Sequence, residues 1–185
     1  MIGRSVAQGT YQAFHRGELR PVNFSDYRGK WVVLIFYPGD FTFICPTELA
    51  EAAELYGDFQ KAGAEVFGVS TDSVYVHKAW HDASPTIKGV DFPLIGDRSG
   101  KLCREFGTYL EDEGASLRGS FIIDPDGIVK AYEMHDNSIG RSARELLRKL
   151  QAAVRVRDGE GEVCPANWTP GQRTLTPSLD LVGKL

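Results

Sequence analysis

The stretch WVVLIFYPGDFTFICPTELAEAAELYGDFQKAG, Trp31 to Gly63, joins an apolar run to an amphipathic segment through a short polar break. Its first seven residues, Trp31–Tyr37, are mostly β-branched or aromatic and do not alternate with polar residues, which predicts a central strand buried on both faces. Pro38-Gly39-Asp40 ends this strand. From Pro46 onward the apolar residues recur at helical spacing, so we predict a helix that stops at the final glycine. A lone thiol, Cys45, therefore lies between a central strand and the start of a helix.

Outward from this stretch, strand and helix patterns continue to alternate. Together they predict an α/β chain with a thioredoxin-like fold, in which a central mixed β-sheet is flanked by helices on both faces and followed by an extended C-terminal arm. The further elements are a hairpin within Thr10–Lys30, strands within Ala64–Ser70 and Asp91–Asp97, a helix over Val74–Ala83, a hairpin of Ser116–Asp124 with Ile128–Met134, and a helix over Ser142–Val154.

The character of the chain changes after Val154. The segment RVRDGEGE is charged and contains glycine, which is typical of a linker. The remainder has three prolines and no helical period, yet it contains Trp168 and several leucines. We therefore predict a domain over residues 1–155 and an arm over residues 156–185 that packs on its own domain or on another subunit. A flexible tail is the alternative.

Composition excludes several classes of function. The chain has 185 residues, a net charge of -4 and a pI of about 5.6, so no electrostatic argument favours nucleic acid or an anionic membrane as the main partner. The first residues lack the apolar core of a secretory signal. Trp31–Tyr37 is too short to cross a bilayer, which takes about 20 residues. We therefore expect a cytoplasmic protein with no nucleic-acid and no membrane partner.

The chain has three cysteines, Cys45, Cys103 and Cys164, a number that does not suit a secreted disulfide framework. In a reducing compartment each thiol is an inert core residue, a metal ligand or a reactive group. A zinc site built from all three with a histidine is one alternative, although no two of them have CxxC spacing.

The position of Cys45 favours a reactive thiol. Backbone N–H groups and the positive end of the helix dipole stabilise an anion at a helix N-terminus, and for a cysteine that anion is the thiolate. Ligands of open α/β sheets bind in the crevice beyond the carboxyl ends of the strands, which is where Cys45 is expected. Thr42 stands three residues before Cys45, where a CxxC motif has its first thiol, so a resolving thiol must come from elsewhere in the sequence. The alternative is that Cys45 is a small core residue.

Several motifs resemble those of one protein family. PGDFTFIC (Pro38–Cys45), HKAWH (His77–His81), IGR (Ile139–Arg141), GEVCPANW and the ending LTPSLDLVGKL are similar to those of typical 2-Cys peroxiredoxins of the alkyl hydroperoxide reductase type. The similarity extends from about residue 11 to the C-terminus.

The resemblance implies roles for the central residues. Cys45 is the peroxidatic cysteine, which becomes a sulfenic acid, and Thr42 hydrogen-bonds the thiolate and the peroxide. Pro38 shields the site from water, and Arg118 is the active-site arginine. Cys164, which lies 119 positions after Cys45 (164 minus 45), is the resolving cysteine. Because disulfide geometry needs Cα atoms within about 7 Å, we expect the first helical turn to unwind and the arm to move or to come from a partner. The resemblance favours the partner.

Supporting roles follow for two more charged residues. Glu48 orients an arginine from the first helical turn, and Arg141 is a second arginine near the pocket. From the residues alone, ordinary helix-end charges remain the alternative for both, and a surface ion pair remains the alternative for Arg118.

Three other chemistry-bearing residues receive structural interpretations. Cys103 lies beside Leu102 on a predicted helix and is interpreted as core filling. His77 and His81 have i, i+4 spacing, but no third ligand is indicated, so we interpret them as packing or surface residues.

The function that the resemblance implies is a thiol peroxidase for hydrogen peroxide and organic hydroperoxides, with a role in antioxidant defence. It implies no metal, haem or flavin of its own, and a dithiol reductant that is a flavoprotein disulfide reductase or a thioredoxin. It also implies a homodimer with two intersubunit disulfides and a decameric ring of five dimers. Two rival functions are a general thiol–disulfide oxidoreductase, disfavoured by the lack of CxxC, and a non-enzymatic, ring-forming holdase or redox relay partner.

Overall fold

A seven-stranded mixed sheet forms the centre of the protein, which a computed structural model describes over residues 1–6 and 9–184. The strands follow the spatial order β2-β1-β5-β4-β3-β8-β9, and β6 and β7 form a separate small ribbon. In chain order they are β1 (Thr10–His15), β2 (Glu18–Asn23), β3 (Trp31–Phe36), β4 (Ala64–Ser70), β5 (Leu94–Gly96), β6 (Tyr109–Leu110), β7 (Ala115–Ser116), β8 (Arg118–Ile123) and β9 (Val129–His135).

Helices cover both faces of this sheet. They are α1 (Cys45–Glu54), α2 (Tyr56–Lys61), α3 (Val74–Ala83), α4 (Lys101–Glu105) and α5 (Ala143–Asp158), with short 3-10 turns at Phe24–Tyr27, Ile87–Gly89 and Leu179–Leu181. Along the described chain, no helix is long and apolar enough to cross a membrane.

The central strand β3 produces two hydrophobic cores. All six of its residues are buried, and alternate side chains enter opposite faces of the sheet. Helices α1, α2, α3 and α5 pack on one face, and α4 packs on the other with the first hairpin. β3 pairs in parallel with β4 and antiparallel with β8, so the predicted mixed sheet with helices on both faces is confirmed.

Among the predicted elements, two helices differ most from the structure. The helix predicted from Pro46 to Gly63 begins one residue earlier, at Cys45, and is divided at Leu55, whose backbone leaves the helical region. The linker predicted to begin at Arg155 is partly wrong, because α5 continues to Asp158. Residues 155–158 are all exposed at the end of α5, and composition alone does not distinguish such an exposed helix end from a linker.

The arm folds back on its own domain. A bridge joins Val163 to Leu175, and the Trp168 side chain is buried. Leu179 and Val182, by contrast, are largely exposed. Three residues of the sequence predictions lie outside the described part of the chain. Leu185 belongs to the predicted arm, and Ala7 and Gln8 belong to the N-terminal stretch that lacks the pattern of a secretory signal.

Candidate active site

Cys45 lies at the point where the strand-to-helix connection enters α1. It is the first residue of the helix, Pro46 follows it in the first turn, and its side chain is fully buried. Proline suits this turn because its missing N–H would have no partner inside the helix. The predicted placement of the thiol at a helix start, beyond the end of a central strand, is therefore confirmed.

Strand β8 brings Arg118 to this thiol. Ile35 on β3 faces Ser120 on β8, so Arg118, two residues earlier on the antiparallel strand, lies beside the end of β3. Its Nη1 lies 3.3 Å from Cys45 Sγ, and its Nε and Nη2 donate to the carbonyl oxygen of Asn137 at 3.0 and 2.9 Å. Because the Arg118 side chain is buried, the surface ion pair considered from the sequence is wrong.

Glu48 connects Arg118 to Arg141. Arg118 Nη1 donates to Glu48 Oε2 at 2.7 Å, while Arg141 Nε donates to Oε1 at 2.9 Å and Arg141 Nη2 to Oε2 at 3.0 Å. All three side chains are buried, so helix-end surface charges are the wrong description for Glu48 and Arg141. Burial alone would raise the pKa of Glu48, but the hydrogen bonds and charge of Arg141, together with the charge of Arg118, outweigh it and hold this pKa below its ordinary value.

These charges leave one positive charge in excess beside the thiol, since two guanidinium groups face one carboxylate. A hydrogen bond from a cationic donor is stronger in a buried site than in water. The site is therefore arranged to stabilise negative charge on Cys45 Sγ and on an atom next to it.

The loop before the helix carries Thr42 and Pro38. Thr42 Oγ1 donates its proton to the carbonyl oxygen of Gly39 at 2.7 Å. Its lone pairs thus remain available to accept a hydrogen bond from a hydroxyl group. Within the described residues no hydrogen bond joins Thr42 to Cys45, so the predicted bond to the thiolate remains a prediction. Pro38 is half-buried, and its shielding role also remains a prediction.

A buried network under this loop was missed at the level of sequence. Asp40 accepts from the Tyr37 hydroxyl at 2.8 Å and pairs with His77 Nδ1 at 2.7 Å, and its backbone N–H donates to Asp72 Oδ2 at 2.8 Å. Burial raises the pKa of Asp40, and the bond to His77 opposes that shift. The sequence feature that points to this network is Asp40, directly after Pro38-Gly39. From the sequence it is interpreted only as part of the turn that ends the strand.

His77 belongs to this network as a buried packing residue, as interpreted from the sequence, and His81 is largely buried nearby. Over residues 1–6 and 9–184, no group of three or more His, Cys, Asp or Glu side chains is placed to hold a metal ion.

Cys45 and Cys103 lie in the two cores on opposite faces of the sheet and Cys164 lies in the arm, so a zinc site built from all three thiols is wrong. Cys103 is buried in the core opposite to that of Cys45, where burial and the charge of Asp97 raise its pKa to about 12. Its interpretation as core filling is confirmed. Cys164 is half-buried in the arm, with its thiol directed at the carbonyl oxygen of Ala152 at 3.7 Å, and burial raises its pKa.

Comparison with known proteins agrees with this geometry. Residues 4–132 match the AhpC/TSA family, and residues 153–185 match the C-terminal domain of 1-Cys peroxiredoxin. The chain is 49% identical to alkyl hydroperoxide reductase C of Pseudomonas aeruginosa (strain UCBPP-PA14) and 50% identical to that of Escherichia coli (strain K12), each over 100% of this chain and 99% of the relative.

Solved structures show the same fold. Enterococcus faecalis AhpC superimposes with a TM-score of 0.86 at 44% identity, covering 89% of this chain and 98% of that one. The reduced 2-Cys peroxiredoxin of Plasmodium vivax gives 0.90 at 32% identity, covering 97% and 94%. The predicted thioredoxin-like fold is thereby confirmed. The chain belongs to the AhpC/TSA family and is a peroxiredoxin of the alkyl hydroperoxide reductase C type.

Proposed function

We propose that this protein is a thiol peroxidase that reduces hydrogen peroxide and organic hydroperoxides with Cys45 as the attacking residue, and that it serves antioxidant defence. The observation that carries the proposal is the 3.3 Å contact between Arg118 Nη1 and Cys45 Sγ, in a buried site where Arg118, Arg141 and Glu48 together leave one positive charge in excess. Membership of a peroxiredoxin family supports it.

In the first step the Cys45 thiolate attacks the terminal peroxide oxygen. The O–O bond breaks, sulfur is oxidised to a sulfenic acid, and the leaving alkoxide or hydroxide takes a proton from water. Negative charge moves from sulfur to the leaving oxygen, and Arg118 can donate to both positions from the same fixed guanidinium group. Thr42, whose proton is engaged by Gly39, accepts from the peroxide hydroxyl and so orients it. Pro38 keeps water away from the thiolate.

In the second step Cys164 of a partner subunit attacks the Cys45 sulfenic sulfur, and the oxygen leaves as water. Within one chain the geometry is unfavourable. The start of α5 adjoins α1, because the Ala143 N–H donates to Glu51, whereas Cys164 contacts Ala152. These positions on α5 are nine residues apart (152 minus 143), or about 14 Å along the helix. Because Cys45 is fully buried, the first turn of α1 must also unwind.

The edge of the sheet supports a dimer. β9 is an edge strand of seven residues, with Tyr132 and Met134 partly exposed beside its open edge. A long edge strand is a template for pairing with another chain. Antiparallel pairing of two β9 strands would give the two-fold dimer that the proposed pair of intersubunit disulfides needs.

A second exposed surface supports assembly of five dimers into a ring. Phe41, Phe43 and Tyr75 are 57%, 93% and 70% exposed. Phe41 and Phe43 flank Thr42, and the bond from the Asp40 N–H to Asp72 brings this loop close to the start of α3, which carries Tyr75. Large apolar side chains grouped on a surface indicate a protein interface.

The electron donor that completes the cycle is proposed to be a dithiol reductant, either a flavoprotein disulfide reductase or a thioredoxin. It would attack the Cys45–Cys164 disulfide through one of its thiols, return both cysteines as thiols and be oxidised to a disulfide itself. The cytoplasmic location remains a prediction from the sequence, as does the division of the chain into residues 1–155 and 156–185.

The proposal is tested by peroxide consumption with a generic thiol donor. We expect no consumption by Cys45→Ser. We expect Cys164→Ser to be oxidised once at Cys45 but to form no intersubunit disulfide. Normal consumption by Cys45→Ser would overturn the proposed function.

A further inference from the structure

The resolving cysteine lies in a closed loop rather than in a free tail. We call the segment Glu162–Leu175 the arm clip. Val163 and Leu175 exchange two backbone hydrogen bonds, at 2.8 and 2.9 Å, and the Thr174 hydroxyl donates to Glu162 Oε2 at 2.8 Å. The two ends of the segment are therefore hydrogen-bonded to each other, and Cys164 directly follows Val163 at this junction.

The tip of the arm clip is anchored on α5. The Trp168 side chain is buried, its indole N–H donates to the carbonyl oxygen of Gln172 at 3.0 Å, and its own carbonyl oxygen accepts from Arg148 Nη1 at 2.8 Å. The Thr169 N–H adds a bond to the Gln172 side chain at 2.9 Å. The clip thus has an internal structure that does not depend on the contact at its base.

At the base, Glu162 forms an ion pair with Arg155 of α5. The Glu162 and Arg155 side chains are 28% and 44% exposed, so this ion pair is more accessible to solvent than the anchor at the buried Trp168. Cys164 follows two residues later, with its thiol against the Ala152 carbonyl on the same helix. The ion pair and the thiol contact therefore hold the same short piece of arm to α5.

We infer that Arg155 and Glu162 are positioning residues that restrain Cys164, so that their ion pair must open before the thiol reaches the oxidised Cys45 of a partner. The inference rests on the proposed function, since it concerns the resolving step of that reaction. A disulfide requires Cα atoms within about 7 Å, so Cys164 cannot remain against Ala152 and also bond to a buried thiol in another subunit. The base of the clip is the part that has to leave α5, while Arg148 and Trp168 keep the tip in place.

The ion pair between Arg155 and Glu162 restrains Cys164 only weakly, because an exposed ion pair contributes little stability and is screened by salt. We expect it to alter the rate of resolution without preventing it. The reaction with peroxide itself should be unaffected, since no described contact joins Arg155 or Glu162 to the site around Cys45.

The test follows a single turnover of the full-length protein after one equivalent of peroxide, with the Cys45–Cys164 disulfide quantified by mass spectrometry at timed quenches. We expect Arg155→Ala and Glu162→Gln to form it about threefold faster than wild type, and Arg155→Lys to remain near the wild-type rate. Salt should accelerate wild type but not Arg155→Ala. The matched control is Arg157→Ala, an arginine of the same helix that pairs with Asp126 instead of the clip.

Hydrogen exchange of residues 162–175, unchanged in Arg155→Ala, would confirm that the clip itself remains folded. Equal or slower disulfide formation in Arg155→Ala, or the same salt response in both proteins, would overturn the inference alone. If wild type forms no Cys45–Cys164 disulfide at all, the resolving step of the proposed function fails and the inference fails with it, whereas peroxide reduction by Cys45 is tested separately by Cys45→Ser.

Discussion

Glu48 is a carboxylate held between two buried guanidinium groups, and its charge determines whether the site is stable. Replacement by glutamine keeps the shape but leaves Arg118 and Arg141 without a counter-charge. Removal of one partner from a buried pair is strongly destabilising, so we expect Glu48→Gln to lower the free energy of unfolding by about 3 kcal/mol, measured by urea denaturation at neutral pH. The matched control is Glu145→Gln, whose partner Arg148 is more exposed and which should cost under about 1 kcal/mol.

The difference in the free energy of unfolding between wild type and Glu48→Gln depends on pH, and the direction follows from the pKa of Glu48. The folded-state pKa of Glu48 is lowered, so its contribution is present above the unfolded-state pKa and is lost as the pH falls through the folded-state value. In sufficiently acid solution wild type and Glu48→Gln should therefore become equally stable. A constant difference between them down to the acid transition would contradict this account of the charges.

Cys164 gives a second prediction at the scale of one residue. A cysteine thiol has an ordinary pKa of about 8.5, and burial against α5 raises that of Cys164 further, so only a small fraction is thiolate near neutral pH, and the thiolate is the attacking form. The rate of disulfide formation after a single peroxide oxidation should rise severalfold, roughly up to tenfold, from pH 7 to pH 8. A stopped-flow or quenched-flow series measures this rate; a flat profile would show that the chemistry of Cys164 does not limit it.

Residue types and local spacing made part of the site predictable. Thr42, Cys45 and Glu48 lie within one short segment, and their spacing around a helix start indicates that they act at the same site. Arg118 and Arg141 entered through family resemblance, because nothing local shows that strand pairing and a helix start bring both to Glu48. The Asp40–His77 pair joins residues 37 positions apart, so only the packing of α3 under the loop could show it.

At the scale of elements, the proposed reaction needs the first turn of α1 to be ordered for peroxide attack and open for disulfide formation. The Thr47 hydroxyl donates to the carbonyl oxygen of Ile44 at 2.6 Å, across this turn. Thr47→Val removes that bond while keeping the shape, which should cost about 1 kcal/mol and accelerate disulfide formation by roughly threefold. Quenched-flow measurement of the Cys45–Cys164 disulfide tests this.

The control for that prediction is Ser73→Ala, which removes the side-chain cap of α3 and should cost a similar amount of stability. Its disulfide rate should match wild type. Equal acceleration in both variants would mean that global stability, rather than the turn itself, limits the reaction.

Most element types could be predicted, while their ends could not. The runs around β3 and β4 are long and apolar, and α3 and α5 are each capped by a serine, Ser73 and Ser142. The division after α1 at Leu55 has no breaker residue, because Gly57 lies inside α2 rather than at the break. Such a division is set by packing on the sheet, which local sequence does not contain.

At the scale of the whole molecule, the exposed surface of Phe41, Phe43 and Tyr75 should be an assembly interface. A charge on this surface would have to be desolvated on assembly, so we expect Tyr75→Glu to shift the protein from rings to dimers in sedimentation velocity. Ile2→Glu, at another exposed apolar residue, should keep the wild-type assembly. Rings of unchanged size in Tyr75→Glu would contradict this assignment of the surface.

The central claim is that Cys45 of one subunit is resolved by Cys164 of its partner. A mixed dimer of Cys45→Ser and Cys164→Ser chains, purified through two different tags, tests it most directly, because such a dimer retains one complete intersubunit pair and no complete pair within a chain. The measurement is steady-state peroxide consumption with a dithiol donor. The account predicts about half of the wild-type activity in the mixed dimer and none in dimers of either variant alone. An inactive mixed dimer that still forms the sulfenic acid at Cys45 would contradict it.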